Sequence, residues 1–394
     1  MPDVADRSAR TPMIVAARRT PISTIGGRLA RFGVEELAAA ALRSAADDAA
    51  NAIGNAAPAV GDVILGNCMG PGGNIARLGV LAAGFDVAVP GMTVDRQCGS
   101  GLAAVATAAD AIRAGEGRMI LAGGAESAST APVRIADGEV YARARFAPAG
   151  FPDPEMGPAA EALAAHDGID RAAQDSYALR SHRLARAAQQ DGRFDAEIVA
   201  IGGLDRDDGP RDGIERMLGR FAPLHPTVGA PEAVGTVTAG NSCRISDGAG
   251  AVALVPASAR HDAPALAVVA HATVGCDPAL PGIGPVAAVE RLLGMTGLGL
   301  DDIDAFEIVE AFAAQTLAVL GRLGLCAGRE VDPRVCADGG ALALGHPWGA
   351  SGAIGIVRLF SRLVRSGSPA GTRGLAMAAV GGGMGVAVLV EVVR

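Results

Sequence analysis

The chain has 394 residues, of which half are hydrophobic and only 3% aromatic, and its formal net charge is -8. An acidic chain without a basic run lacks the positive face that a nucleic-acid-binding protein needs, so we expect no nucleic-acid partner. A core rich in Ala, Val, Leu and Ile suits helices that pack closely on parallel strands, and the length allows more than one such core.

Apolar runs and glycine or proline breaks predict an alternating α/β chain. The predicted strands cover 13–16, 63–66, 118–122, 236–241, 249–255, 374–380 and 386–393, and the predicted helices cover 34–49, 103–114, 158–166, 171–190 and 354–364. Residues 127–234 differ from the rest because they hold many charges and several prolines. We interpret them as a lobe that is inserted into the first half of the chain and covers the functional site described below.

The first twenty residues mix charges with short apolar pieces and contain no signal-type core, and the long uncharged stretches elsewhere are broken by Gly and Pro. We therefore expect a cytoplasmic protein without a membrane partner. The six cysteines show no paired spacing, so the sequence predicts neither a disulfide framework nor a metal site. These cysteines are Cys68, Cys98, Cys243, Cys276, Cys326 and Cys336.

Cys98 lies in a glycine turn between an apolar strand and the alanine-rich helix 103–114. Unpaired N–H groups and the dipole at a helix N-terminus favour a thiolate, and the small neighbours Gly99, Ser100 and Gly101 let a carbonyl substrate approach. Most free cysteines are buried packing residues, which is our interpretation of the other five. For Cys98 the sequence predicts a nucleophile.

His346 lies in a second glycine turn, which also opens into an apolar helix. The two turns look like copies of one unit, since each leads through a helix to a strand that ends in glycines, at Gly123 and Gly381 respectively. A weak repeat of this kind predicts two βα-rich halves that share one site. We expect Cys98 and His346 to meet there as nucleophile and base, although a core histidine is the alternative.

The glycines from Gly381 to Gly385 precede a strand rather than a helix, so they do not fit a dinucleotide-binding loop. A tight hairpin fits better, and it would bring backbone N–H groups to the site. The sequence predicts no bound cofactor.

Together these pieces resemble the thiolase superfamily over essentially the whole chain. The matching segments are Arg96-Gln97-Cys98-Gly99-Ser100-Gly101, Met156-Gly157 with Ala160-Glu161, residues 235–241, Asp247-Gly248-Ala249, Glu310-Ala311-Phe312, Gly345-His346-Pro347 with Gly349-Ala350-Ser351-Gly352, and Gly381-Gly382-Gly383-Met384-Gly385.

The resemblance implies two pseudo-twofold βαβαβαββ halves in an α/β/α/β/α arrangement with an inserted loop domain. The corresponding bounds are 1–126 with 235–262 for the first half, 127–234 for the insertion and 263–394 for the second half. It implies a homodimer or homotetramer that acts on coenzyme A thioesters as substrates. Cys98 would take the acyl group, His346 its proton, and the N–H groups of Cys98 and Gly381 would hold the oxyanion.

Two positions depart from the family pattern. Ala379 stands where thiolases carry a second catalytic cysteine, and Val309 stands where the Asn-Glu-Ala-Phe motif has its asparagine. Neither side chain can transfer a proton or donate a hydrogen bond. Both losses affect the formation of carbon–carbon bonds. The groups needed for acylation, which are Cys98, His346 and the two backbone N–H donors, are all present.

The resemblance also implies substrate-binding residues: Met156, Ser242, Cys243, Arg244, Phe312 and Trp348. Arg244 has three alternatives: it grips a phosphate, occupies the coenzyme A channel, or is an ordinary surface arginine. If the channel is altered, an acyl carrier protein would replace free coenzyme A as the partner. Trp348 would be a wall of the acyl pocket or plain core packing.

The resulting hypothesis is an acyltransferase that forms an acyl-Cys98 thioester and passes the acyl group to a heteroatom nucleophile. The alternatives are a conventional acetyl-CoA acetyltransferase or ketoacyl-CoA thiolase with another base, a decarboxylative condensing enzyme, and a catalytically silent partner subunit.

Overall fold

The computed structural model describes residues 8–54, 57–226 and 234–394. The strands are β1 Pro12–Arg19, β2 Ser23–Thr24, β3 Val60–Gly66, β4 Met92–Val94, β5 Met119–Glu126, β6 Arg134–Ala136, β7 Glu139–Tyr141, β8 Ser246–Pro256, β9 Ala265–Gly275, β10 Ala305–Ile308, β11 Cys326–Ala327, β12 Glu330–Val331, β13 Arg373–Val380 and β14 Met384–Val393. The helices are α1 Val34–Ile53, α2 Ile75–Ala82, α3 Ser100–Ala114, α4 Met156–Asp167, α5 Arg171–Gln190, α6 Glu215–Leu218, α7 Ala257–Arg260, α8 Gly284–Thr296, α9 Ala313–Arg322, α10 Ala341–Leu344 and α11 Trp348–Leu359.

The strand order repeats between the two halves of the chain. The first half has the order β4-β3-β5-β8-β1, and the second has β10-β13-β14-β9. A bridge from Phe306 to Val335 adds one more chain segment beside β10. In each half-sheet the first strand, β1 or β9, therefore lies at one edge. The short third segment, β4 or the segment at Val335, lies at the other edge. This agreement gives the predicted internal repeat a structural basis.

The two half-sheets are joined rather than separate. β1 and β9 pair antiparallel through Met13 with Ala267 and Ile14 with Leu266, which makes one ten-stranded sheet. Helices α3 and α11 pack on each other and on strands of both halves, and α1 and α8 cover the outer faces. The result is the expected α/β layered fold, with apolar clusters on either side of both half-sheets.

Several predicted elements agree closely with the structure. Helix α5 begins after Asp170, whose side chain accepts from Ala173 N, and it covers the predicted residues 171–190. The predicted helix 354–364 begins earlier, at Trp348, and continues beyond Leu359 as a π-helical turn. Among the described residues, no helix is long and apolar enough to cross a membrane.

The predicted strand at 236–241 is wrong. The carboxylate of Glu161 accepts from the N–H groups of Thr236 and Val237, and Asn241 Oδ1 accepts from Thr238 N at 2.8 Å. Since side chains satisfy these backbone donors, the segment does not need a neighbouring strand. The sheet resumes at Ser246. The domain bounds themselves stay a prediction.

A buried ionic network ties the inserted segment to both halves. Arg19 of β1 donates to Glu197 at 2.8 Å and to Asp207 at 2.7 Å, and Arg358 of α11 donates to Glu197 and to Asp338. The five side chains come from three parts of the chain, one near residue 19, one at 197–207 and one at 338–358, and all are buried. Each charge therefore depends on partners that are distant in sequence.

Candidate active site

Cys98 lies on a constrained turn between β4 and α3. Gln97 has a φ of +46°, in the left-handed region that non-glycine residues seldom adopt. Ser100 holds this shape, because its Oγ donates to the Gln97 carbonyl and accepts from the Arg96 N–H, both at 2.7 Å. The turn leaves Cys98 partly exposed at the start of the helix. A strained strand-to-helix turn of this kind presents a nucleophile to a substrate.

His346 lies on a turn between α10 and α11. Gly345 has a φ of +115°, and a Cβ there would collide with Ser246 Oγ, so glycine is required. The His346 N–H donates to the Arg244 carbonyl at 2.9 Å. These backbone contacts fix the direction of the turn, and the imidazole of His346 is buried.

The two turns lie side by side. His346 Nε2 is 3.2 Å from Cys98 Sγ, and His346 Nδ1 is 2.6 Å from Ser351 Oγ. An imidazole that carries its proton on Nδ1 donates to Ser351 and leaves the Nε2 lone pair facing the thiol. The arrangement is that of a nucleophile, a base and a third group that orients the base.

Burial favours the neutral form of both members of this pair. It raises the pKa of the Cys98 thiol to about 12, to which the charges of Glu126 and Asp95 contribute, and it lowers the pKa of His346 to about 4. Desolvation thus opposes the thiolate that a helix N-terminus favours. A neutral thiol needs a base to take its proton as it attacks, and His346 Nε2 lies 3.2 Å from Sγ.

The glycine hairpin lies against the Cys98 turn. β13 and β14 pair antiparallel up to Val380 and Met384, and a Cβ at Gly99 would lie 2.7 Å from Val380 Cγ2. Gly381, whose N–H the resemblance assigns to the oxyanion, follows Val380 directly. Its backbone is therefore adjacent to the nucleophile turn.

The two altered positions lie close to this hairpin. Ala379 pairs with Gly385 across the hairpin, and the Val309 N–H donates to Met377 O of β13 at 3.0 Å. The side chain of Val309 is buried in the apolar cluster between the half-sheets. Both positions thus have only hydrocarbon side chains, without a group that donates or accepts a proton.

The loop 242–244 lies beside the start of α9. Ser242 forms a bridge with Phe312, and its Oγ donates to Thr238 O at 2.7 Å, while the Cys243 N–H donates to Ala311 O at 2.9 Å. Burial raises the pKa of the Cys243 thiol, and the next largest cause is a charge on Cys98. Cys243 therefore lies near the nucleophile.

Arg244 does not project as a free cation. Its guanidinium donates to Gly209 O at 2.9 Å and to Ala343 O at 2.6 Å, so two of its nitrogens are occupied by backbone carbonyls. Its own carbonyl accepts from His346 N. Through these bonds Arg244 links the inserted segment to the histidine turn, while its predicted roles in phosphate binding or in the coenzyme A channel stay predictions.

Met156 and Trp348 each begin a helix. Met156 is the first residue of α4 and Trp348 the first residue of α11, and both are partly buried. Trp348 follows His346 by two residues and begins the helix that also carries Ser351.

Three further residues of this site had no assigned role in the sequence analysis. Ser351 orients His346, and its position in the second glycine turn was the only signal for it. Glu126 is fully buried and accepts from Asn67 Nδ2 and from the N–H groups of Cys68, Met69 and Gly349. A lone acid that ends an otherwise uncharged strand could have indicated this role. Phe146 covers Gly381, and no motif marks it.

No group of His, Cys, Asp or Glu within 8–54, 57–226 and 234–394 could hold a metal ion. The cysteines described there are all free thiols. The site's chemistry has to be argued from side chains and backbone N–H groups.

An α/β fold of two repeated halves with a cysteine and a histidine at their junction is the architecture of a thiolase. The Thiolase, N-terminal domain family matches residues 12–258, and the Thiolase, C-terminal domain family matches residues 263–392. The chain belongs to the thiolase family and is an acyltransferase.

Relatives support this assignment over nearly the whole length. The chain is 42% identical to the putative acetyl-CoA C-acetyltransferase YhfS of Bacillus subtilis, over 96% of this chain and 99% of that one. It is 39% identical to the acetyl-CoA acetyltransferase of Escherichia coli, with 96% and 98% covered. The crystal structure of the Bacillus anthracis acetyl-CoA acetyltransferase matches with a TM-score of 0.85 at 35% identity, and 98% of this chain and 100% of that one are covered.

Proposed function

We propose that Cys98 takes an acyl group from an acyl-CoA thioester. The sulfur of Cys98 forms a bond to the thioester carbon, the thiol proton passes to His346 Nε2, and the carbon–sulfur bond to coenzyme A breaks. The departing thiolate then takes the proton back from His346. The distance of 3.2 Å between Nε2 and Sγ is the observation that carries this proposal.

We assign the N–H groups of Cys98 and Gly381 to the oxyanion that forms during this step. Backbone donors aimed at a developing negative charge lower the barrier, and one such donor is worth about 10²–10³-fold in rate. The adjacency of the glycine hairpin and the Cys98 turn supports this assignment. Met156, Ser242, Cys243, Phe312 and Trp348 remain candidates for contact with the substrate.

Two acceptors are candidates for the second step. The printed names of the relatives favour a carbon acceptor, so that the chain would condense two acetyl-CoA molecules or cleave the product. Ala379 provides no base for that step, and the partly buried Cys243, whose pKa responds to a charge on Cys98, is the thiol that would have to replace it. The hydrocarbon at 309 and 379 favours the second candidate, a heteroatom acceptor, which needs no deprotonation at carbon.

The donor is free coenzyme A thioester in this proposal. Arg244 is bound to the carbonyl groups of Gly209 and Ala343, and this supports free coenzyme A thioester over a carrier-bound donor. Assembly into a dimer or tetramer stays a prediction.

Intact-protein mass spectrometry tests the first step. The wild-type chain, mixed with acetyl-CoA, is expected to gain one acetyl group, and the Cys98→Ala variant is expected to gain none. An adduct that persists in Cys98→Ala would contradict the assignment of the nucleophile. The acyl-enzyme is then mixed with either acetyl-CoA or a set of amines and thiols. Loss of the adduct with acetyl-CoA indicates a carbon acceptor, and loss with an amine or thiol indicates a heteroatom acceptor.

A further inference from the structure

A cavity adjoins the histidine turn, between helix α11 and the strands β10 and β13. Its volume is about 40 Å³, and its lining includes Gly345, Ser351, Gly355, Arg358 and Glu307. One buried water needs about 10–15 Å³ of such space, so the cavity has room for about two waters. A cavity with an apolar lining stays dry, whereas polar groups in the lining bind water. The polar side chains therefore decide what this cavity holds.

The shape of the cavity depends on Gly355. Ser351, Gly355 and Arg358 are spaced by four and three residues along α11, so they lie on one face of the helix. A Cβ at Gly355 would lie 3.6 Å from Glu307 Cβ and 3.8 Å from Ala376 Cβ, which is ordinary van der Waals contact. A methyl group would fit there without strain, and it would take up part of the cavity.

The Ser351 hydroxyl needs an acceptor for its own proton. When His346 Nδ1 donates to Ser351 Oγ, over 2.6 Å, the hydroxyl is left to donate elsewhere. In the part of the chain that the structure describes, Ser351 Oγ makes no other hydrogen bond. Because Ser351 is buried and lines the cavity, an acceptor inside the cavity is the available partner.

The strand side of the cavity carries the charged group Glu307. Arg362 donates to Glu307 Oε1 at 2.6 Å, and no other described residue donates to this carboxyl group. Arg358 donates through its two terminal nitrogens to Glu197 and Asp338, while its Nε has no partner among the described residues. The lining therefore has unused hydrogen-bonding capacity at Glu307 and Arg358 as well as at Ser351.

The groups that face Glu307 favour its ionised form. Arg358 lies on α11 and Arg362 on the π-helical turn that continues it, and Asp338 and Cys336 lie on the segment before α10. Burial raises the pKa of Glu307, and the charges of Arg362 and Arg358 oppose that shift. A guanidinium at 2.6 Å holds the side chain as a carboxylate.

We propose that Glu307 is a positioning residue that acts on His346 through water in this cavity. The Ser351 hydroxyl donates to a water, and the water donates to the carboxylate of Glu307. The chain of hydrogen bonds fixes the proton of His346 on Nδ1, so that Nε2 faces Cys98 as an acceptor. No proton moves along this chain.

The inference rests on the proposed acylation of Cys98, because it concerns the imidazolium that forms in that step. Burial lowers the pKa of His346 to about 4, so the buried cation is unfavourable. A carboxylate at the far end of a polarised chain stabilises the cation without a direct contact. Loss of the chain should therefore slow acylation and leave the binding of the donor unchanged.

Gly355→Ala is the first test, since it fills the cavity without removing a polar group. Because alanine favours a helix over glycine, the variant should melt at or above the wild-type temperature. We expect acyl-Cys98 formation from acetyl-CoA to slow by about 10-fold at an unchanged KM, the low end of the cost for groups that orient a metal-ligating histidine. Gly294→Ala in α8 is the matched control, because a Cβ there would meet nothing within 4 Å.

Glu307→Gln is the second test, since it keeps the shape of the side chain and removes the charge. Nitrogen-15 NMR of labelled histidine, with the His346 signal assigned by its loss in His346→Ala, gives the position of the ring proton. Wild type should carry the proton on Nδ1, and the share on Nε2 should rise in Glu307→Gln and in Gly355→Ala. A residue with a structural role alone would not shift this equilibrium.

The outcomes separate the two proposals. If Gly355→Ala is acylated as fast as wild type, or if both variants keep the proton on Nδ1, the role of Glu307 through the cavity is overturned while the acylation of Cys98 stands. A crystal structure without water in the cavity would overturn it as well. If wild type forms no adduct, the proposed function fails and this inference fails with it. Should Glu307→Gln not fold, Gly355→Ala still decides.

Discussion

Glu126 accepts a hydrogen bond from the backbone N–H of Gly349 at 2.9 Å, although the two residues belong to opposite halves of the fold. The same carboxylate accepts from Asn67, Cys68 and Met69, so its lone pairs are used by donors from two segments, one in each half. Gly349 is three residues from His346. A buried acid thus fixes the histidine turn against the half that carries Cys98.

We expect the stability of the chain to depend on the ionisation of Glu126. Burial raises the pKa of this carboxyl from 4.5 to about 7. The folded chain therefore binds more protons than the unfolded chain between pH 4.5 and 7, and the free energy of unfolding falls as the pH rises through that interval, by about 3 kcal/mol from this group. Urea unfolding of wild type and Glu126→Gln across pH 5 to 8 measures this pH dependence of the free energy of unfolding. A difference between the two proteins that is independent of pH would contradict the prediction.

Loss of Ser351 should weaken the base without removing it. In Ser351→Ala, Nδ1 loses its partner at 2.6 Å, so the imidazole is free to rotate and to place its proton on Nε2. We expect acylation of Cys98 to slow by about 10–100-fold, the cost of losing a group that orients a metal-ligating histidine. His346→Ala should slow it by about 10²–10⁴-fold. Rapid-mixing mass spectrometry gives both rates, and equal losses in the two variants would mean that Ser351 does more than orient the base.

Arg244→Met should destabilise the histidine turn and leave the affinity for the acyl-CoA donor unchanged. The change removes two charge-assisted bonds, to Gly209 O and Ala343 O, and we expect the free energy of unfolding to fall by about 2–3 kcal/mol. The acylation rate should fall while KM for acyl-CoA stays near the wild-type value. A large rise in KM with an unchanged maximal rate would instead support the phosphate-binding alternative. Arg183→Met is the control, since Arg183 is exposed on α5.

Restoration of the missing groups tests their role in carbon–carbon chemistry. Ala379→Cys together with Val309→Asn should raise the rate of acetoacetyl-CoA thiolysis by about 10² or more, because a base alone is worth about 10²–10⁴-fold. Ala379→Ser with Val309→Asn is the matched control without the thiol. If wild type already thiolyses this substrate at about 1–10³ per second, the two losses do not cripple the second step and another base serves it.

The sequence could predict the junction of Cys98 and His346, because two similar glycine turns in a repeated chain have to face one another across its axis. It could also predict helix α5 to the residue, since Asp170 is a strong N-cap before a long amphipathic run. The pKa shifts of Cys98 and His346 were not predictable, because the burial of the two side chains depends on the packing of distant segments. The partners of Arg244 lie 35 and 99 residues away, and no local pattern encodes such distances. Phe146 was missed for the same reason.

The buried network of Arg19, Glu197 and Arg358 also limits how the chain can be divided. A fragment that contains only one half would leave at least one of these charges buried without its partner, and an uncompensated buried charge costs about 3–5 kcal/mol. That figure is a large share of the stability of an ordinary domain. Although the halves repeat one architecture, neither is an exchangeable module, and chimeras made by swapping one half between relatives should fold only when the residues of this network are exchanged together.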